Sequence, residues 1–147
     1  MIFDNSLLLS SAQAITASAA STNVIDLGAT GTPYNSSVPL TRDIGRGEEV
    51  ELSVAVVASF NNLTSLTVGV QTSPDNSTWT TRYQGEAVPL ASLVAGYQFK
   101  FPCCFDEGTD TRYVRLYYTV AGTAPTAGSI TAGQVASRQT NSSYGGR

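Results

Sequence analysis

The chain has 147 residues, the usual size of one domain, and eight Lys and Arg against eleven Asp and Glu leave a net charge of −3. Charged residues are only 13% of the chain, against roughly 25% in ordinary soluble domains, and the few cations argue against nucleic acid as the main partner. Histidine is absent, which removes the commonest general base and metal ligand together.

The chain opens Met1-Ile2-Phe3-Asp4-Asn5-Ser6 and continues with Leu7, Leu8 and Leu9; its first basic residue is Arg42. A secretory signal needs a basic start and a longer apolar stretch. No run approaches the ~20 apolar residues of a membrane span. The expectation is a protein made in a cytoplasm, with no membrane partner.

Further along, alternation with a period of two dominates. Val50, Leu52, Val54 and Val56 alternate with Glu51, Ser53, Ala55 and Val57, and Leu66, Val68 and Val70 with Thr67, Gly69 and Gln71. Tyr97, Phe99 and Phe101 repeat the pattern, as do Val114, Leu116, Tyr118 and Val120. Each reads as a half-buried antiparallel strand. Residues 23–27, 78–84 and 130–137 are further strand candidates, with a weaker one near 12–18. Ser73-Pro74-Asp75-Asn76-Ser77 reads as a hairpin connection, because Pro sets φ and Asp and Asn tolerate turn geometry. No segment sustains a 3.6-residue period.

Seven or eight such strands predict an all-β domain, a jelly-roll or Greek-key β-sandwich of about eight antiparallel strands, with an open barrel as the second choice. Residues 1–21 read as an N-terminal arm, 22–138 as the sandwich, and 139–147 as a polar C-terminal tail. The four Asn-x-Ser/Thr matches, at Asn35, Asn62, Asn76 and Asn141, read as turn chemistry.

The residues that could carry chemistry are few. With no His and Lys100 the one lysine, a nucleophilic triad lacks its base, and no cofactor or metal is expected. Glu48, Glu49 and Glu51 form one acidic cluster and Asp106, Glu107 and Asp110 another; both read as solvated loop ends. Cys103 and Cys104 are adjacent and read either as small hydrophobes at a strand end or as an intersubunit disulfide or reactive thiol. Arg42 with Asp43, and Arg112 with Asp110, are plausible surface ion pairs.

Aromatic placement says more. Tyr113, Arg115 and Tyr117 share the face opposite Val114, Leu116 and Tyr118, a composition typical of an interface hot spot and equally of cross-strand packing on a sheet surface. Trp79 and Tyr83 also fall on one face by alternation, as a sugar-stacking platform or as core. Ile2, Phe3, Leu7, Leu8 and Leu9 are apolar in a segment too short to make a core, and they read as an anchor onto a partner.

Two blocks of sequence carry a resemblance. Asn5-Ser6-Leu7-Leu8-Leu9-Ser10-Ser11-Ala12-Gln13-Ala14 with Ala20-Ser21-Thr22-Asn23-Val24-Ile25-Asp26-Leu27-Gly28, and Arg112-Tyr113-Val114-Arg115-Leu116-Tyr117-Tyr118-Thr119-Val120-Ala121-Gly122-Thr123 with Thr126-Ala127-Gly128-Ser129-Ile130-Thr131-Ala132-Gly133, resemble the capsid cement, or decoration, proteins of tailed double-stranded DNA bacteriophages. The Cys103-Cys104 pair and residues 141–147 fall outside the pattern. The resemblance implies a jelly roll without enzymatic activity, bound as a dimer or trimer to the outer surface of a phage head. Its partners would be the major capsid protein and its own copies, and its task to clamp neighbouring subunits against DNA pressure. Ile2, Phe3, Leu7, Leu8, Leu9, Tyr113, Arg115 and Tyr117 are then the candidate contact residues. A carbohydrate- or receptor-binding sandwich of a phage virion is the alternative.

Overall fold

A computed structural model describes residues 2–45 and 49–138. Among these described residues there are ten strands: β1 (Phe3–Ala14), β2 (Ala19–Ala20), β3 (Ile25–Asp26), β4 (Val50–Ala58), β5 (Leu63–Ser73), β6 (Thr80–Gln84), β7 (Val88–Pro89), β8 (Cys104–Phe105), β9 (Tyr113–Gly122) and β10 (Ser129–Val135). One 3₁₀ turn, Leu90–Ser92, follows β7, and the described residues contain no α-helix. One sheet has the order β1-β10-β4-β8 and the other β2-β9-β5-β6, with β3 also on β9 and β7 also on β5. All the strand pairs are antiparallel.

The pairing is nested. The first strand lies beside the last, β2 and β3 beside β9, β4 beside β8, and β5 beside β6. Rolling that long hairpin then brings β10 against β4 and β9 against β5. This is a jelly roll, the first of the expected architectures, and its two sheets stack as a sandwich.

The alternating residues account for the core. Leu52, Val54 and Val56 of β4, Leu66, Val68 and Val70 of β5, and Val114, Leu116 and Tyr118 of β9 are all buried between the sheets. Leu93, Phe99 and Phe105 fill the space beside β4. Tyr97–Phe101 was expected as a strand, yet only Gln98 forms a β-bridge, to Ala55. The segment still follows β4: Val56 N–H donates to Tyr97 C=O at 2.8 Å and Phe99 N–H to Val54 C=O at 2.9 Å.

The start of the chain departs from the expected arm. Residues 3–14 form β1, hydrogen-bonded along β10, and Leu9 and Ile15 are buried in the core. Phe3 pairs with Val135 and Ala14 with Ser129, so eleven steps on β1 run against six on β10. The surplus is taken up in three register shifts, each a bulge that turns side chains to a new face. One shift, between Leu8 and Ser10, lets Leu9 and Ser10 both reach the interior, which simple alternation forbids. The expected tail, residues 139–147, lies outside the described residues.

Ser10 there meets the opposite sheet. Its Oγ lies 2.7 Å from the hydroxyl of buried Tyr118 and donates to Gln13 Oε1 at 2.7 Å. Gln13 Nε2 donates to Ala20 C=O, and Thr22 N–H donates to Gln13 Oε1. Burial raises the Tyr118 phenol well above its ordinary value, so it stays a neutral donor.

Asn35, Asn62 and Asn76 take φ of +60°, +65° and +58°, the left-handed turn geometry that Asn tolerates; Asn141 lies outside the described residues. Gly128 takes φ of +125° with its α-carbon against the Phe60 ring, where a Cβ would sit 2.2 Å from ring carbon.

Leu9→Ala should lower stability by about 2–5 kcal/mol and Tyr118→Phe by about 1 kcal/mol, both read from urea unfolding. Deleting residues 2–9 should likewise unfold or strongly destabilise the domain, because it removes half of β1 and a core leucine.

Candidate functional site

The eight candidate contact residues divide into four groups. Ile2, Phe3 and Leu7 lie together along an apolar groove at one end of the sandwich, beside Val135 and Ala136. Ile2 is 75% exposed, whereas Phe3 and Leu7 are half-buried. Leu8 is half-buried on the outer side of its sheet, over Gly133. Leu9 is core and open to no partner. The groove continues past Leu7 and Gln134 into a second hollow of about 340 Å³, lined by Ile25, Ile44, Val50 and Phe105.

Tyr113, Arg115 and Tyr117 line the outer face of the other sheet, each half-buried. Arg115 has partners within the chain. Its guanidinium carbon sits 3.8 Å from the centroid of the Trp79 ring, and its Nε donates to Gln71 Oε1 at 2.9 Å. Tyr113 lies under the Arg112 guanidinium at 4.8 Å. Tyr117 is in register with Gly69 and Ala20, small neighbours that leave its ring room on the surface. The stripe is therefore two tyrosine rings flanking Arg115, which stacks on Trp79, with Arg112 over Tyr113.

The expected ion pairs are replaced by another. Arg112 Nε and Nη2 donate to Asp26 Oδ1 and Oδ2 at 2.8 and 2.9 Å, a two-point pair joining β3 to the start of β9. Alternation along the chain could not find it, because 86 residues separate the two. The hydrogen bonds from Arg112, then that from Gly28 N–H, lower the Asp26 carboxyl from 3.8 to about 2. In the β5–β6 turn, Thr78 and Ser77 N–H groups donate to Asp75 Oδ1 at 2.8 and 2.9 Å and hold that carboxyl well below the usual carboxylate range.

The Trp79 and Tyr83 platform does not form. Val70 pairs with Tyr83 but Gln71 pairs with Thr81, so Arg82 is an extra residue in a bulge. That bulge sends the two aromatics to opposite faces. Tyr83 packs against the core and donates from its hydroxyl to Cys104 C=O at 2.6 Å, while Trp79 covers Arg115. A different concave site lies beside β6, a cleft of about 500 Å³ lined by Gln84, Glu86, Tyr97, Lys100 and Phe101. Phe101 is 43% exposed there, its ring 5.4 Å from that of Tyr83.

Cys103 and Cys104 are free and half-buried, with sulfurs 3.7 Å apart. Burial, then the neighbouring Cys103, pushes the Cys104 thiol up to about 11, which keeps it protonated and poorly nucleophilic at neutral pH. Of the acidic clusters, Glu51 is held by the Arg138 N–H at 2.6 Å. Glu49, Asp106, Glu107 and Asp110 are exposed, and Glu48 lies outside the described residues. Among the described residues no three His, Cys, Asp or Glu side chains gather as a metal site.

One surface has no counterpart in the strand pattern. Between Leu27 and Ile44 the chain makes a long excursion in which residues 29–43 are all exposed. It is held by its own bonds: Leu40 N–H donates to Gly31 C=O at 2.7 Å and Ser36 N–H to Pro33 C=O at 3.0 Å. Tyr34 at its tip is 95% exposed, with Val38 at 67% and Leu40 at 52%. No charged residue occurs from 27 to 41. The sequence signal was present in the loss of alternation after residue 27.

A family model described as Bbp16 matches residues 9–135, from inside β1 to the last residue of β10. The chain belongs to the Bbp16 family. No curated protein matches it.

Two outcomes check these contacts. Both carboxyls bind protons less readily folded than unfolded, so their contribution is complete above pH 4 and is lost as the pH falls through the folded value, about 2 for Asp26. The thermal midpoint should therefore fall between pH 4 and 2, and an Asp26→Asn, Asp75→Asn variant should show a shallower fall. Arg115→Ala should red-shift the emission of the single Trp79 and cost about 1 kcal/mol, measured by fluorescence and urea titration.

Proposed function

We propose that this protein is a structural component of a phage head: a cement protein that binds the outer surface of the shell and clamps neighbouring major capsid protein subunits against internal DNA pressure. The observation that carries the reading is the extent of the Bbp16 match, which takes in residues 9–135 and so all of the jelly roll but the first half of β1. The family name suggests a phage protein, and the sequence blocks resembling decoration proteins fall in β1–β3 and β9–β10, neighbours in the two sheets. In this reading the protein performs no chemistry and is made in the host cytoplasm before joining the virion.

The shell-facing surface is assigned to the outer face of β9. Tyr113 and Tyr117 present rings that are already half-desolvated and held by neighbouring strands, so docking orders little further. Arrayed copies also make modest individual contacts sufficient, because each added site on one shell multiplies the total.

The cleft beside β6 favours a second reading, recognition of a carbohydrate or receptor by a virion protein. Its exposed Phe101 wall and the polar ends of Gln84, Glu86 and Lys100 combine an apolar face with hydrogen-bonding groups, as ligand sites do.

Co-sedimentation with mature, cement-free heads, with immature shells as control, tests the first reading. Saturable binding at a fixed ratio to capsid subunits is expected, and a Tyr113→Ser, Tyr117→Ser variant should bind at least about tenfold more weakly with an unchanged melting temperature. Binding to neither shell would overturn the cement reading and leave the cleft, probed with Phe101→Ala on a glycan array, as the site to pursue.

A further inference from the structure

Cys103 and Cys104 are the chain's two cysteines, and the fold brings their side chains to one place. In a regular strand, neighbours in sequence point to opposite faces. Cys103 instead precedes β8 and Cys104 begins it, and the two sulfurs lie 3.7 Å apart. Neighbouring strands hold the backbone that sets this contact. The Cys103 C=O accepts from Leu52 N–H of β4 at 2.8 Å. Cys104 is in register with Glu51, and its C=O accepts from the Tyr83 hydroxyl of β6 at 2.6 Å. Both side chains are half-buried, which leaves them within reach of a small reagent.

That arrangement decides between the fates open to the pair. A thiol that attacks a small disulfide first forms a mixed disulfide, which a second thiol then resolves. Here the second thiol is the neighbouring sulfur, already in contact, which outcompetes a thiol arriving from solution or from another chain. Burial, then Cys103 itself, keeps the Cys104 thiol protonated, which makes Cys103 the first to attack. Once the Cys103 sulfur is capped, its hydrogen bond and charge no longer help to hold the Cys104 proton.

We propose that Cys103 and Cys104 form a reversible dithiol–disulfide site, closed within one chain by a small disulfide such as glutathione disulfide. Cys103 gives its proton to solvent and its sulfur attacks one sulfur of the reagent, breaking that S–S bond. The departing glutathione thiolate takes up a proton. Cys104 then loses its own proton and attacks the Cys103 sulfur, forming the bond between them and releasing the second glutathione. The two cysteines lose two electrons and two protons, and glutathione disulfide gains both to become two thiols. Consecutive Cα atoms across a trans peptide lie about 3.8 Å apart, less than the roughly 4.4–6.8 Å of ordinary disulfides. The closed ring is therefore strained and readily reopened by thiols. It is a switchable bond rather than a permanent staple, open in a reducing cytoplasm and closed in an oxidising medium.

Intact mass spectrometry of the folded full chain, incubated with glutathione disulfide and quenched with iodoacetamide, tests the site. The mass should fall by two hydrogens, with neither glutathione nor an alkyl group retained, and the bond should map within the tryptic peptide of residues 101–112. Excess reduced glutathione should restore two alkylatable thiols. A persistent glutathione adduct, a disulfide-linked pair of chains, or an unreacted chain would each overturn the proposal. Cys104→Ser cannot resolve the adduct, so it should retain one glutathione; a folded variant that retains none overturns the order of attack. If that variant does not fold, the native chain alone decides. No shell takes part in the reaction, so its outcome is independent of the cement reading.

Discussion

The hydroxyl of Tyr118 reaches Ser10 across the interior of the sandwich, and much of the rest of the structure depends on that contact. A buried phenol without a partner would cost on the order of 1–3 kcal/mol, and Ser10, turned inward where β1 lies along β10, supplies that partner. The bulge that turns Ser10 also brings in Leu9, and Gln13 then ties the same corner to Ala20 and Thr22. One polar network thus joins the first strand of one sheet to the edge of the other. It is a small number of bonds, and it fastens the corner at which the roll closes.

Closing the roll has consequences at the surface. Nested pairing puts the long central strands β4, β5, β9 and β10 inside their sheets and leaves very short, bulged or interrupted elements at the margins. Such edges resist being extended by another chain, which leaves faces and loops as the more accessible surfaces. Among the described residues, the aromatic outer face of β9 and the exposed excursion at residues 29–43 are surfaces of that kind.

Electrostatics points the same way. The chain has few charges, and several are engaged within the molecule: Asp26 by Arg112, Glu51 by Arg138, Arg115 by Trp79 and Gln71, and Asp75 by its own turn. These contacts fasten chain segments that are distant in sequence or cap turns that join strands. The exposed excursion at residues 29–41 carries no charged side chain at all.

The strand pattern was legible from the chain because a sheet with one buried face writes a period of two into its residues; Leu52, Val54 and Val56, or Val114, Leu116 and Tyr118, needed no coordinates. The turn roles of Asn35, Asn62 and Asn76 were legible for a similar reason, since they rest on local backbone sterics. Wherever a bulge intervened, the same rule failed: Leu9 and Ser10 both face inward, and Trp79 and Tyr83 part to opposite faces, because one extra residue reverses every side chain after it. The Asp26–Arg112 pair, the Tyr118–Ser10 bond and the meeting of Phe3 and Leu7 with Ile25 and Ile44 depended on which strands became neighbours. The chain by itself determined an all-β domain with little charge and the identity of most of its core. Only the tertiary structure decided which apolar residues stayed outside that core, because exposure is set by the closing of the roll and not by the hydrophobicity of the residue.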